Sequence, residues 1–339
     1  MTGEATYHSF DIPLALETVD LSDILGVSHR EVVTDGLPVV KPTRIQVEAM
    51  LGGRRRDEVV AALPPVMGEC THERLAALAV LAGCPVPSFP VLVAAVQAVA
   101  RDELNLLAVQ TTTGNVAVAV LVSGPAAARM GFHAGCNGLG PGPRSNVTVG
   151  RALRLAPMNI GGAIPGLLDV ACLGWPGKLS FCAAEHTAAS PWPPFHVDRG
   201  FPDNATVVTV AAAYGFIETA DAVSTTVQPL LANLAGMMAA AFVSGSRGSQ
   251  VLALLTPQHA HTLARGGLGR RDVQAYLHER LFDLERHVNA STGKHLRVVS
   301  TPEDVLLVVT GGNGGKSAFV PLWSGSRAVS VAVLENGER

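Results

Sequence analysis

The stretch VLALLTPQHAHTL, residues 251–263, decides the fold class. Val251 to Leu255 form an unbroken aliphatic run that reads as a strand. Thr256 and Pro257 follow at once: a hydroxyl residue suited to a helix N-cap, then a proline suited to the first helical turn, where no amide hydrogen is required. A helix is therefore expected over 259–263, and a longer one with a polar face over 271–287. A strand feeding directly into a helix is the repeating unit of an α/β protein.

The alternation extends in both directions. Residues 304–309 and 328–334 read as late strands, 205–213 as a buried strand and 224–242 as a helix with an apolar face. Farther upstream, Thr43 and Gln46 have the spacing of a capping box that opens a helix ending at Gly52 and Gly53. Residues 58–63 read as a strand stopped by Pro64 and Pro65, 71–82 as a helix stopped by Gly83, and 90–100 as a second helix. The apolar runs 104–110 and 116–122 flank a polar turn and are expected as two strands, or as one strand leading into that turn. Ser123, Gly124 and Pro125 break the chain, and the glycine- and proline-rich residues 135–142 form a loop before a helix starting near Ser145. The expected architecture is α/β: an N-terminal segment (1–57) with a short helix, then two loosely similar α/β lobes (58–204 and 205–339). A glycine/proline-rich active-site region lies between the lobes.

Composition agrees with this class and excludes others. The 339 residues are 48% hydrophobic, mainly Ala, Val and Leu, and only 5% aromatic, which suits helices packed on sheets. Net charge is -3, and Arg54–Arg56 is the single basic run, so a nucleic-acid partner is not expected. Residues 1–20 carry Glu4, Asp11, Glu17 and Asp20 without a basic start or an apolar core, so they read as no signal peptide, and a cytoplasmic protein is expected. Two greasy stretches are broken by Pro85, Pro87 and Pro90 and by Gln228, Pro229 and Asn233, so neither reads as a membrane span. Five cysteines without a CxxC pair argue against a disulfide framework or a structural zinc site. Glu69, Cys70, His72 and Glu73, like His259 and His261, lack helical zinc spacing, so no metal is expected.

Chemistry concentrates in FCAAEHTAASPWPPFHVDRG, residues 181–200. Pro191, Pro193 and Pro194 restrict this chain to extended or turn geometry, which presents its titratable groups from a fixed loop. Glu185 or a neutral His196 could act as general base, Arg199 could hold an anionic substrate group, and Cys182 is the available nucleophile if a neighbour lowers its pKa. The alternative is a structural loop in which the histidines and Glu185 pair with backbone or each other and Trp192 anchors the packing.

A second constellation is the loop GCNGLGPGPRSN, residues 135–146, and the helix after it. Ser145 or Asn146 could cap that helix, and Arg144, Arg151 and Arg154 could line one side of an anion pocket, or instead pair with carboxylates between lobes. Gly138 and Gly140 lack a third partner glycine because Pro143 stands there, so no nicotinamide or flavin is expected. The turn TGGNGGKS, residues 310–317, nearly fits a phosphate loop, but Thr310 replaces the first glycine and AFVPLW follows where a helix should begin. It reads as a glycine turn that either carries Lys316 and Ser317 to a pocket or is purely structural.

Several of these segments, namely RSNVTVGRALRL (144–155), MNIGGAIPG (158–166), GKLSFCAAEH (177–186), SPWPPFHVDRGF (190–201) and GGNGGKSAF (311–319), together resemble a bacterial family associated with a thiol or selenol UGSC motif. The resemblance covers most of the chain from Pro42 onward. The UGSC tetrad is absent here, so the redox chemistry of that tetrad does not carry over. The resemblance implies that Arg144, Asn146, Arg151, Glu185, Trp192, His196 and Arg199 are motif residues and that Lys316 and Ser317 belong to a late glycine turn. It names no reaction.

The residues lead to a small-molecule enzyme, a lyase, hydratase or hydrolase, acting by acid/base catalysis on a polar, anionic metabolite without an organic cofactor. Two other classes stay open: a non-catalytic ligand-binding or partner subunit, and a thiol enzyme dependent on Cys182. The composition is compatible with a homo-oligomer.

Overall fold

The computed structural model describes residues 18–20, 31–241, 250–292 and 299–335, so most of the N-terminal stretch read for a signal peptide lies outside the described residues. The strands are β1 (Thr18–Asp20), β2 (Glu31–Val33), β3 (Val59–Leu63), β4 (Gly68–Thr71), β5 (Ala117–Ser123), β6 (Cys182–Ala184), β7 (Val207–Ala213), β8 (Ile217–Ala220), β9 (Val251–Leu255), β10 (Val305–Val309), β11 (Lys316–Pro321) and β12 (Val329–Ala332). The helices are α1 (Arg44–Leu51), α2 (His72–Ala82), α3 (Phe89–Val99), α4 (Leu106–Thr111), α5 (Arg144–Asn159), α6 (Phe195–Asp198), α7 (Val227–Ala241), α8 (Pro257–Arg265) and α9 (Arg270–Thr292).

Two four-stranded mixed sheets carry the α/β fold, in the orders β12-β7-β5-β6 and β10-β9-β11-β8. Each has a parallel pair at one edge, β5 with β6 and β9 with β10, followed by two antiparallel neighbours. Strands alternate between two faces, and although the central strands are buried on both, successive residues join different apolar layers. Leu121, Ala183 and Ala211 of the first sheet meet Leu252, Leu254, Leu306, Val308 and Val320 of the second in a shared apolar layer. Outward-facing Val120, Val122, Val208 and Val210 pack with residues of α2, α3 and α5. On the second sheet, outward-facing Val251, Ala253, Leu255 and Leu307 pack with residues of α7, α8 and α9. The layers are therefore helix, sheet, sheet, helix. The sheets exchange strands: β8 follows β7 in sequence but joins the second sheet, and β12 follows β11 but joins the first. Consequently β7 and β12, both beyond residue 205, pair within the sheet of β5 and β6.

Local signals explain most elements. Thr43 and Gln46 form the expected capping box, and Gly52 ends α1 in the left-handed conformation at φ 56°. Thr71 accepts from the Arg74 amide to cap α2. The run 104–110, expected as a strand, is instead the short helix α4, because Asn105 at φ 56° turns the chain and its side chain accepts the Ala108 amide. The glycine turn at 311–315 leads into strand β11, which is paired on both edges. Gly124 sits at φ 123°, and a Cβ there would lie 2.3 Å from the Ala205 carbonyl oxygen, so a residue without a side chain is required immediately after β5.

Candidate functional site

Parallel pairing of β5 and β6 puts Val122 beside Ala184, and the chain continues in register: the Glu185 amide donates to the Val122 carbonyl at 2.8 Å. Ser123, the last residue of β5, thereby meets Glu185, the first residue after β6, and their side chains are hydrogen bonded. The proline-restricted turn then delivers α6, whose His196 places Nδ1 2.7 Å from Ser123 Oγ and its amide 3.3 Å from the same oxygen. The Phe195 amide donates to both Glu185 carboxyl oxygens, at 2.8 and 2.9 Å. From the opposite side, Arg270 at the start of α9 reaches Glu185 at 3.4 Å and Asp198 at 2.5 Å, with its guanidinium carbon 5.9 Å from the Trp192 ring centre. Glu185 is 4% exposed and His196 is 0% exposed, so the group is enclosed by protein.

Counting protons restricts what this cluster can be. His196 Nε2 lies 3.2 Å from the Asp203 carbonyl, which can only accept, so Nε2 carries hydrogen. Ser123 Oγ has one hydrogen and two lone pairs, and the His196 amide occupies one lone pair. The hydroxyl then gives its hydrogen to one of its two neighbours and must receive one from the other. Either Glu185 is a carboxylic acid donating to Ser123, which donates to neutral His196, or a proton has crossed through Ser123 and both side chains are charged. The two states have the same net charge and differ only by proton position. Arg270 is shared between two carboxylates: its shorter contact goes to Asp198 and its longer one, at 3.4 Å, to Glu185. Burial pushes the Glu185 pKa above its ordinary value, outweighing the Ser123 hydrogen bond, the more distant Arg270 charge and the Phe195 amide. Burial thus favours the neutral form of Glu185 more than for an ordinary carboxyl group.

This raised pKa has a measurable sign. As pH rises, the unfolded chain releases its proton first, near about 4.3, so stabilisation from protonated Glu185 is present below that pH. It is lost as pH climbs through the higher folded value. The melting-temperature difference between the native protein and Glu185→Gln is therefore expected to shrink from acid towards neutral pH. A difference that grows over that interval contradicts a retained proton.

The other residues singled out in the sequence have varied fates. Cys182 lies on β6 but points, with Ala184, into the helical layer and away from Glu185. Burial pushes its thiol far above the ordinary range, which opposes the nucleophilic role considered for it. Arg144 donates to the Gly83 carbonyl at 2.9 Å, and Arg151 is held by Asp35 at 2.6 Å and by the carbonyls of Leu37 and Pro38. Arg199 bonds Ser330 and the Ala328 carbonyl, whereas exposed Lys316 pairs with Glu218. These four cations are engaged at separate places, so the expected arginine clamp is not assembled around Glu185. Asn146 is buried and spans the His133 backbone and the Gly138 carbonyl, which fixes the glycine loop. Ser317 bonds His259 Nδ1 at 2.7 Å, and Trp192 donates to the Leu268 carbonyl while packing on Arg270.

Sequence reading missed Ser123 and Arg270. Ser123 was visible only as part of a chain break. Arg270 did carry a signal, since a cation at a helix N-terminus opposes the helix dipole and so calls for another partner. Its buried Nε has no hydrogen-bond acceptor among the described residues.

Above the cluster, three loops meet at the carboxyl ends of the strands. The His186 amide donates to the Val309 carbonyl, the Thr310 hydroxyl to the Ala184 carbonyl, and the Gly311 amide to the Ala134 carbonyl. His133 and Cys136 are exposed there and His186 is half-buried. Among the described residues no group of three or more His, Cys, Asp or Glu side chains is arranged to hold a metal, and no helix is long and apolar enough to cross a membrane. No family model matches the chain, and a comparison with functionally characterised proteins finds no match.

Proposed function

We propose that this chain is a small-molecule enzyme, a lyase, hydratase or hydrolase, that moves a proton on a polar, anionic metabolite. The observation that carries this reading is the enclosed Glu185–Ser123–His196 chain: a carboxyl group with a raised pKa, coupled to a histidine through a hydroxyl that is hydrogen bonded to both. Its position also supports the reading, because ligands of open α/β sheets bind outside the carboxyl ends of strands. Glu185 acts as the acid, Ser123 shuttles the proton, and His196 stores it. His186, His133 and the glycine turn at 311–315 offer recognition groups at the loop mouth.

The test addresses the lyase and hydratase reactions, in which a proton is exchanged at carbon. Hydroxy carboxylates and their dehydrated, unsaturated counterparts are incubated with the protein in D2O, and deuterium on substrate carbon is read by mass spectrometry. Uptake on at least one compound is expected, and absence of uptake across the panel contradicts the lyase and hydratase readings. The complete enclosure of Glu185 favours a second reading, a non-catalytic ligand-binding subunit, which predicts retention of a panel compound without exchange.

A further inference from the structure

Far along β5 from Ser123, near Ala117, two cations share one carboxylate. Arg154 of α5 reaches Asp169 at 2.5 Å, and Lys178 reaches the other oxygen of the same carboxyl at 2.7 Å. Neither cation has a second carboxylate within ion-pair distance among the described residues. The side chains are 13% and 15% exposed, and burial lowers the pKa of both groups; with both protonated, one positive charge is left over in a largely dry environment. Uncompensated interior charge is costly, and proteins normally remove it by pairing or by loss of the proton.

Beside this excess charge lies a narrow cavity of about 20 Å3, bordered by Gln110, Ala117, Gly150, Arg154 and Lys178, whereas Asp169 is not among its lining residues. One water needs roughly 10–15 Å3 measured this way, so a single small particle fits and a polyatomic acid does not. Donors remain for it. Arg154 uses Nη1 on Gln110 and Nη2 on Asp169 and the Ala163 carbonyl, which leaves the Nε hydrogen without an acceptor among the described residues. The Lys178 ammonium spends one of its three hydrogens on Asp169.

We propose that this cavity is a binding site for a small monovalent anion of halide size, held by Arg154 and Lys178. The anion brings the cluster to neutrality and takes the unused donors. It also ties α5 to the 160–178 loop that carries both Asp169 and Lys178. This site is separate from the Glu185 cluster and does not depend on the reaction assigned there.

The test compares thermal unfolding of the full chain in sodium chloride, sodium bromide and sodium gluconate at equal ionic strength. At a hundredfold excess over its dissociation constant a halide is expected to raise Tm by about 4 °C for a chain of this size, whereas gluconate, too large for the cavity, does not. In Lys178→Met, which removes the surplus charge, the halide-specific increment is expected to vanish. A crystal grown in bromide should give an anomalous peak between Arg154 and Lys178, and this readout on the native chain stands even if the variant folds poorly. Equal melting temperatures in halide and gluconate, or no bromide peak in the cavity, would overturn the proposal. Either result would mean that Lys178 gives up its proton instead.

Discussion

Replacing Glu185 by Gln is expected to slow deuterium exchange into substrate by about 10²–10⁴-fold, the range in which a positioned acid or base contributes. The substitution keeps the shape of the side chain and most of its hydrogen bonds: an amide still accepts from the Phe195 backbone and donates to Ser123. It removes the ability to give up a proton. Folding is therefore preserved while proton transfer fails, which separates a chemical role from a structural one. His196→Ala should lower the same rate, since the proton that crosses Ser123 then has nowhere to go. Full exchange in both variants would sink the assignment of Glu185 and His196 as the proton-moving pair.

The second large effect is on stability. Ser123→Ala fits the space but deletes the hydroxyl that links Glu185 to His196, leaving a buried carboxyl oxygen and a buried ring nitrogen each without that partner. At about 1–3 kcal/mol for each orphaned group the expected loss is roughly 2–6 kcal/mol. In a chain of this size that lowers Tm by about 3–8 °C, read by calorimetry. An unchanged Tm would mean that the three side chains do not form a hydrogen-bonded unit.

How much of this could be read from the sequence depended on the range of the forces involved. Apolar runs such as 251–255, caps such as Thr43, and terminating glycines are local, and the elements they specify are present. The three-residue strand β6 is too short to show a period, and β11 was masked by the glycine turn before it. The exchange of β8 and β12 between sheets depends on packing across the whole molecule, so no local pattern announces it. At the site, Glu185 and His196 were legible because proline-rich rigidity and titratable groups coincide in one segment. Ser123 and Arg270 stand 62 and 85 residues from Glu185, and only the pairing of β5 with β6 and the approach of α9 unite them. The arginines misled for a related reason. Arg151 and Arg199 look available for a ligand in sequence, yet each is taken up by a distant part of the chain, Asp35 in one case and β12 in the other.

The proposed chemistry turns on the state of one proton, and infrared spectroscopy reads it directly. A difference spectrum at neutral pH between the native protein and Glu185→Gln, repeated in D2O, is predicted to contain the carbonyl stretch of a protonated carboxylic acid that shifts on deuteration. Carboxylate stretches alone, with no acid band lost on substitution, would contradict it.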